Sequence, residues 1–438
     1  MKLTFCFSPS CLAFVLLSTL PLWSQFTSLD RERADGILQG VSTDIRKDYY
    51  DPKLHGLDWD AKVVATKAAI AKANTWDAAM VEIAALVNDL NDSHTIFIPA
   101  RTPIRVDYGW SFQMIGDHCY ITRVKQGSDA QAKGLKVGDE VVILDGFRPT
   151  RETLPKISYA IDVLSPQTAL HAAIRPPVGS TRSVEVAAKV TQPKIVNELE
   201  HPSGIDWQYF RLGQENHAHQ MRPRFVEVGS DVLILKLPEF YLRESDVNDI
   251  TNKAKKHSAL IVDLRDNPGG AVETLQYLLG SVLDKETKIG DEVMRNKTDT
   301  LKTKNDHHNV FTGKLIVLID SNSSSAAEIF ARTIQLEKRG TVIGDRSSGF
   351  VMEAQLHPRY EGIPPAVYAT EVTRADLIMS DGKSLEHVGV TPDEIVLPTQ
   401  SDVAENRDPV LSRAAELAGV KLTPEDAGKL FPYEWLPD

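Results

Sequence analysis

Ser325 closes the run Ser321-Asn322-Ser323-Ser324-Ser325, which joins the apolar Lys314-Leu315-Ile316-Val317-Leu318-Ile319-Asp320 to Ala326-Ala327-Glu328-Ile329-Phe330-Ala331. The first run reads as a buried strand and the last as a helix. A serine at such a junction sits at a helix N-terminus, where free amides and the helix dipole can stabilise an oxyanion. That is the chemistry of a nucleophile in acyl transfer. The same residues also read as a capping box, Ser325-x-x-Glu328, which needs no catalysis. A second turn, Asn267-Pro268-Gly269-Gly270, follows the strand-like Ala259-Leu260-Ile261-Val262-Asp263-Leu264-Arg265-Asp266 and precedes an apolar helix near Ala271. Paired glycines at a strand end admit close backbone approach and leave amides to donate to an oxyanion. The alternative is an ordinary strand-to-helix turn. With no GxGxxG, dinucleotide binding is not indicated.

A serine nucleophile needs a base, and the base an orienting partner. Of 12 histidines, His94 is the one attached to a motif, in Asp92-Ser93-His94-Thr95. A surface or core histidine would look the same in isolation.

The elements that must carry these residues fall into distinct stretches. From about 30 to 90 the pattern is helical, with Trp76, Met80, Ile83, Ala84 and Val87 on one apolar face. From about 101 to 195 short β-like runs alternate with Gly and Asp, around a helical stretch between Pro155 and Leu164. A polar, less regular region follows from about 196 to 225. Val232–Leu237, Ala259–Asp266 and Lys314–Asp320 are then apolar enough to be strands buried on both faces, which makes the third stretch an α/β core.

With 438 residues, 42% of them hydrophobic and 25% charged, the chain has material for two or three domains. A net charge of −11 offers nothing to a phosphate backbone, which excludes nucleic acid as a partner. Leu12–Trp23 is apolar but short for a membrane span, and reads as a secretory signal over residues 1–24, an uncleaved anchor being the alternative. Cys6 and Cys11 lie inside it, which leaves Cys119 and no material for a disulfide framework or a cysteine metal site.

Taken in this order, the segments resemble the tail-specific, or C-terminal-processing, serine protease family. The resemblance runs from about Ile37 to Leu397 and implies an α/β core of crotonase or ClpP type with an inserted PDZ domain, and no metal or organic cofactor. In its terms Leu264–Gly270 is similar to the turn that lends an oxyanion amide, and Ser325-Ala326-Ala327-Glu328 to the nucleophile motif. The sequence departs from the Ser-Lys members, because Phe350 stands where their lysine is expected. It is closer to the tricorn-core branch, whose base lies in an upstream Asp-x-His segment and whose glutamate comes late. Asp92-Ser93-His94 and Leu385-Glu386-His387-Val388-Gly389 match those two segments. The resemblance therefore implies Ser325 as nucleophile, His94 as base and Glu386 as its carboxylate, with amides of Gly269 or Gly270 and Ala326 as the oxyanion hole. His387 is the rival base, and Glu386 on its own also reads as a solvated loop acid.

Gly109-Trp110-Ser111-Phe112 resembles a PDZ carboxylate-binding loop, which implies polypeptide substrates entering by their tails. The resulting division is an N-terminal helical domain over 25–100, a PDZ-like domain over 101–195, a protease core over 196–400 and an unassigned extension over 401–438. Self-association stays open. Two rivals remain: a non-catalytic peptide-binding scaffold, favoured by the missing lysine, and an acyl-CoA enzyme of crotonase type, disfavoured by the signal and the β module.

Overall fold

The computed structural model describes residues 26–100, 105–191, 220–304, 309–362 and 366–435. The expected signal and most of the polar stretch at 196–225 lie outside the described residues.

Three helices come first: α1 (Ser28–Asp48), α2 (Trp59–Ile70) and α3 (Trp76–Asn88). Each begins at a side-chain cap, from Thr27, Asp58 and Thr75 in turn, whose oxygens take up otherwise unpaired first-turn amides. A short strand, β1 (Ile96–Ile98), follows. The next unit holds β2 (Arg105–Asp107), β3 (Trp110–Ile115), β4 (His118–Val124), α4 (Asp129–Ala132), β5 (Glu140–Leu144), α5 (Leu154–Ser158), β6 (Ala169–Arg175), β7 (Arg182–Ala187) and β8 (Lys189–Thr191). Strands β3 to β7 form one antiparallel sheet in chain order, and β2 pairs with β8 as a separate ribbon. The expected β runs and the helical stretch after Pro155 are thus present.

The largest unit contains β9 (Arg224–Val228), β10 (Val232–Lys236), α6 (Glu244–Ala254), β11 (Ala259–Asp263), α7 (Val272–Gly280), β12 (Lys288–Met294), β13 (Thr298–Lys302), β14 (Lys314–Ile319), α8 (Ala326–Leu336), β15 (Thr341–Gly344), β16 (Glu353–Glu361), β17 (Ala366–Met379) and β18 (Glu394–Ile395). Its main sheet has the order β18-β15-β14-β11-β10-β9, parallel except for β9. Alternate residues of these strands go to opposite faces. Leu233, Leu235, Leu260, Val262 and Val317 pack beneath α6, α7 and α8. Ile234, Ile261, Ile316 and Leu318 pack against Val410, Leu411, Ala414 and Ala427. Those last four belong to α10 (Pro409–Leu417) and α11 (Pro424–Ala427), which follow the short α9 (Gln400–Ala404). The C-terminal residues that the sequence left unassigned therefore cover the second face of the parallel sheet, which such a sheet requires.

A second, antiparallel sheet runs β1-β17-β12-β13, with β16 also on β17. Ile37, Leu38 and Val41 of α1, with Met80, Ile83 and Val87 of α3, share one core with Phe97 of β1 and with Tyr368 and Val372 of β17. The N-terminal helices are thus fixed to this sheet, and the turn after α3, residues 91–95, is carried to the body of the molecule.

Candidate active site

The nucleophile turn is held in a conformation that side chains rarely adopt. Ser325 has φ +54° and ψ −122°, a strained geometry that persists only where the surroundings enforce it. Its amide donates to the Phe350 carbonyl at 2.6 Å, and the Ser324 amide donates to the Asn267 carbonyl at 3.0 Å. Ser323 Oγ donates to the Leu264 carbonyl at 2.8 Å. Of the capping box expected from sequence, the Ser325 amide donates to Glu328 Oε2 at 3.2 Å, while the Glu328 amide donates to the Ser325 carbonyl at 2.9 Å.

Beneath the turn lies Glu328, fully buried. Its carboxylate faces five donors: the amides of Ser325 (3.2 Å), Gly349 (2.7 Å) and Phe350 (2.9 Å), and the hydroxyls of Ser347 (2.6 Å) and Ser348 (3.2 Å). Burial pushes its pKa up to about 7, with those bonds opposing. Glu328 thereby ties residues 347–350 to the serine turn. Phe350 takes part through its backbone, while its side chain lines a separate cavity of about 900 Å³ between the β3–β7 sheet and the core.

The glycine turn packs directly on the serine. A Cβ on Gly269 would lie 2.6 Å from Ser325 Cβ, and one on Gly270 would lie 2.6 Å from the Phe240 carbonyl oxygen, at φ +99° and +142°. Only glycine fits either position. The two are not equivalent donors. The Gly269 amide is spent on Asn267 Oδ1 at 2.7 Å, whereas Gly270 and Ala326 line a cavity of about 380 Å³ together with Ser325 and His94. Of the two glycines expected from sequence, it is Gly270 that faces this cavity.

His94 reaches that wall from the turn after α3. Asp92 Oδ1 accepts the amides of His94 (2.8 Å) and Thr95 (3.0 Å) and the hydroxyl of Thr373 on β17 (2.6 Å), so it fixes the turn to the second sheet. His94 Nδ1 lies 2.7 Å from Ser93 Oγ, and Ser93 Oγ donates to Glu386 Oε2 at 2.9 Å. Glu386 also accepts the amides of Ser93 (2.9 Å) and Val351 (3.2 Å). Glu386 therefore meets His94 through the Ser93 hydroxyl. In this network Nδ1 carries the proton it gives to Ser93, and Nε2 keeps its lone pair. Burial lowers the His94 pKa, with Asp92 opposing, and burial raises that of Glu386. His387 Nε2 lies 2.9 Å from the Asn91 carbonyl and 3.6 Å from Glu386 Oε1, and His387 does not line the cavity that Ser325 and His94 share. Ser93 and Asn267 had no assigned role in the sequence. The position of Ser93 next to His94 was the available signal.

The loop expected to bind a peptide carboxylate is organised differently. The Gly109 amide donates to Asp107 Oδ1 at 2.9 Å, Trp110 is buried, and Ser111 pairs with Arg123 of β4. Phe112 lines the larger cavity. Gln113 Nε2 donates to Asp320 Oδ2 at 2.6 Å, and Ser321 Oγ donates to the Met114 carbonyl at 2.6 Å. Strand β3 thus touches the turn that carries Ser325. Among the described residues no group of His, Cys, Asp and Glu is arranged to hold a metal ion.

Residues 231–396 match the model of peptidase family S41. The chain is 23% identical over 370 residues to carboxyl-terminal-processing peptidase 3, chloroplastic, of Arabidopsis thaliana, covering 80% of this chain and 66% of that protein. It is 33% identical over 126 residues to the tail-specific protease of Haemophilus influenzae, covering 28% of this chain and 18% of that one. The chain thus spans less than two thirds of the length of these relatives. The crystal structure of mature CPAF superposes with a TM-score of 0.65 at 16% identity, over 86% of this chain and 95% of that one, a likeness of fold.

Proposed function

We propose, from the match of residues 231–396 to the model of peptidase family S41, that the chain is a serine endopeptidase that cleaves polypeptides through an acyl-enzyme on Ser325. The observation that carries this reading is the single cavity wall shared by Ser325, His94, Gly270 and Ala326. Ser325 Oγ attacks a peptide carbonyl as His94 Nε2 takes its proton. The carbonyl oxygen gains the electron pair and is held by the amides of Gly270 and Ala326. The intermediate collapses, the C–N bond breaks, and the proton on Nε2 passes to the leaving amine. Water then attacks the ester with the same base, releasing the acid and restoring Ser325. Glu386 stabilises the imidazolium through Ser93, whose hydroxyl accepts from Nδ1 and donates to the carboxylate.

We read the β3–β7 sheet as PDZ-like. β3 ends the sheet order, so a substrate segment can add there as a further strand beside the nucleophile turn. The Gly109 amide is already paired, so a terminal carboxylate would need another donor, and internal segments suit the edge as well as tails do. On this reading 25–100, 101–195 and 196–400 are the helical, PDZ-like and protease units, and the helices of 401–438 complete the last. Export to the periplasm or beyond rests on the apolar leader Leu12–Trp23. Among the described residues no helix is long and apolar enough to cross a membrane.

Labelling with a fluorophosphonate, which esterifies activated serines, tests the assignment. Wild type is expected to label and Ser325→Ala and His94→Ala are not. Ser93→Ala is expected to lower kcat on a peptide about 100-fold with KM unchanged. Full labelling of His94→Ala would move the base elsewhere, and no labelling of folded wild type would remove the peptidase reading.

A further inference from the structure

The 380 Å³ cavity beside Ser325 is not uniformly apolar. Its near wall is Ser325, Ala326, Gly270 and His94, and its waist is Val272 and Leu275 of α7, Ile329 of α8, and Val351 and Met352. Its floor is the second sheet. Glu371, Ala375 and Leu377 of β17 all line the cavity, on either side of a bulge at Arg374. Glu292 of β12 stands opposite Leu377, and Glu353 of β16 stands opposite Ala375. The two glutamates therefore approach from strands that both pair with β17, over an alanine too small to separate them. All three glutamates line the cavity. Arg374 is the neighbouring cation, and it takes one oxygen of Glu353, its Nε 2.9 Å from Oε1. Glu353 Oε2 is buried and takes no hydrogen bond from an amide, hydroxyl or guanidinium among the described residues. A cavity continuous with a nucleophile, apolar along its walls and anionic at its floor, fits a long aliphatic stem that ends in a cation.

We propose that this cavity is the primary specificity pocket and that it selects lysine or arginine in the substrate residue whose carbonyl Ser325 attacks. The side chain of that residue leaves from beside the oxyanion, hence from beside Gly270 and Ala326 at the mouth of the cavity. Its methylenes lie along Val272, Leu275 and Ile329, and its charged end meets the carboxyl pair Glu292 and Glu353. This inference rests on the peptidase reading above.

A basic side chain entering this pocket is expected to displace a proton from Glu292 at neutral pH. Burial, the charge of Glu353 and a hydrogen bond between the two carboxyl groups push the Glu292 pKa up to about 7, with Arg374 opposing and Asp299 on β13 adding to the rise. Burial also raises Glu371, helped by Asp92. Below that range Glu292 is neutral and attracts a cation weakly. Above it the carboxylate is charged, and preference for a basic residue must grow. His94 titrates as well, but it acts equally on every substrate and cancels in a ratio.

The test uses the purified protein and three fluorogenic peptides identical except for Lys, Leu or Glu before the cleaved bond. At pH 8 kcat/KM for the Lys peptide is expected to exceed that for Leu by about tenfold or more, with Glu cleaved least, as one charge-assisted contact provides. The Lys/Leu ratio is expected to fall toward unity at pH 6. Glu292→Gln and Glu353→Gln are each expected to lower it at pH 8, and because it is measured within one enzyme, partial loss of folded protein does not alter it. Equal or faster cleavage of the Leu or Glu peptide at pH 8, with Ser325 still labelled, overturns the pocket and leaves the peptidase reading standing. No cleavage and no labelling removes both.

Discussion

Glu328 and Glu292 are two buried or half-buried glutamates whose pKa values are both pushed up to about 7, one beneath the nucleophile turn and one on the floor of the cavity that the nucleophile faces. Burial leads in both, but the other causes differ. Around Glu328 every neighbouring polar group is a donor: three backbone amides and two serine hydroxyls. Beside Glu292 stands another carboxylate, Glu353. A shifted pKa alone thus does not separate a structural group from one that awaits a ligand. The sign of the neighbours does. A carboxylate surrounded by donors organises the fold, and one held against its own kind in a cavity has room for a cation.

The largest expected effect comes from removing each carboxylate in turn. Glu328→Ala strips the acceptor from buried amides that hold a strained turn. The Ser325 amide keeps the Phe350 carbonyl and the Ser348 hydroxyl the Ser323 carbonyl as acceptors. Each of the three donors left without a partner costs about 1–3 kcal/mol, so a loss of at least about 3 kcal/mol is expected, together with loss of fluorophosphonate labelling. Glu292→Ala removes a group in conflict with Glu353, and is expected to change stability by less than about 1 kcal/mol in either direction. Urea denaturation of the two variants measures both. Comparable losses would break the distinction between them.

A smaller effect follows from pH. An acid whose folded pKa lies above its unfolded value binds the proton more tightly when folded. Stability is then greatest below the unfolded value, near 4.5, and is lost as pH rises through about 7. For the fully buried Glu328 the shift corresponds to about 3 kcal/mol across that window. Wild type is expected to lose thermal stability between pH 5 and pH 8, and Glu328→Gln, which cannot titrate, is expected to lose less over the same range. For Glu292 the same window should appear in the choice of substrate, with little trace in stability. A pH-dependent loss unchanged in Glu328→Gln would assign it to another group.

Much of this site was legible in the sequence because its parts are local. The strand, serine turn and helix from Lys314 to Ala331 are contiguous, and the helix face of Met80, Ile83, Ala84 and Val87 follows from spacing alone. Long-range partners were not legible. That the Gly269 amide is used up by Asn267, two residues away, depends on the rotamer of a buried side chain. That Ser93 stands between His94 and Glu386 depends on a register nearly 300 residues apart in the chain. The helices of 409–427 read as an extension because nothing in their pattern tells which face of which sheet they cover. The acidic floor was hidden for a similar reason: Glu292, Glu353 and Glu371 come from three strands and meet only through pairing with β17.

Phe350 gives the smallest expected effect. It occupies the position where the Ser-Lys members are expected to carry their base, and a benzyl side chain can take no proton, which from sequence favoured a dead scaffold. Yet what Phe350 supplies to the turn is its carbonyl to the Ser325 amide and its amide to Glu328. Every residue except proline can supply both. Phe350 lines the larger cavity and not the one that Ser325 and His94 share. Phe350→Ala is therefore expected to keep the labelling rate of Ser325 within about threefold of wild type, less than 1 kcal/mol in the barrier. Phe350→Pro, which removes the amide that Glu328 accepts, is expected to lose labelling as Glu328→Ala does. If alanine silences Ser325 as fully as proline, the ring itself supports the nucleophile, and the donors around Glu328 do not by themselves hold the turn.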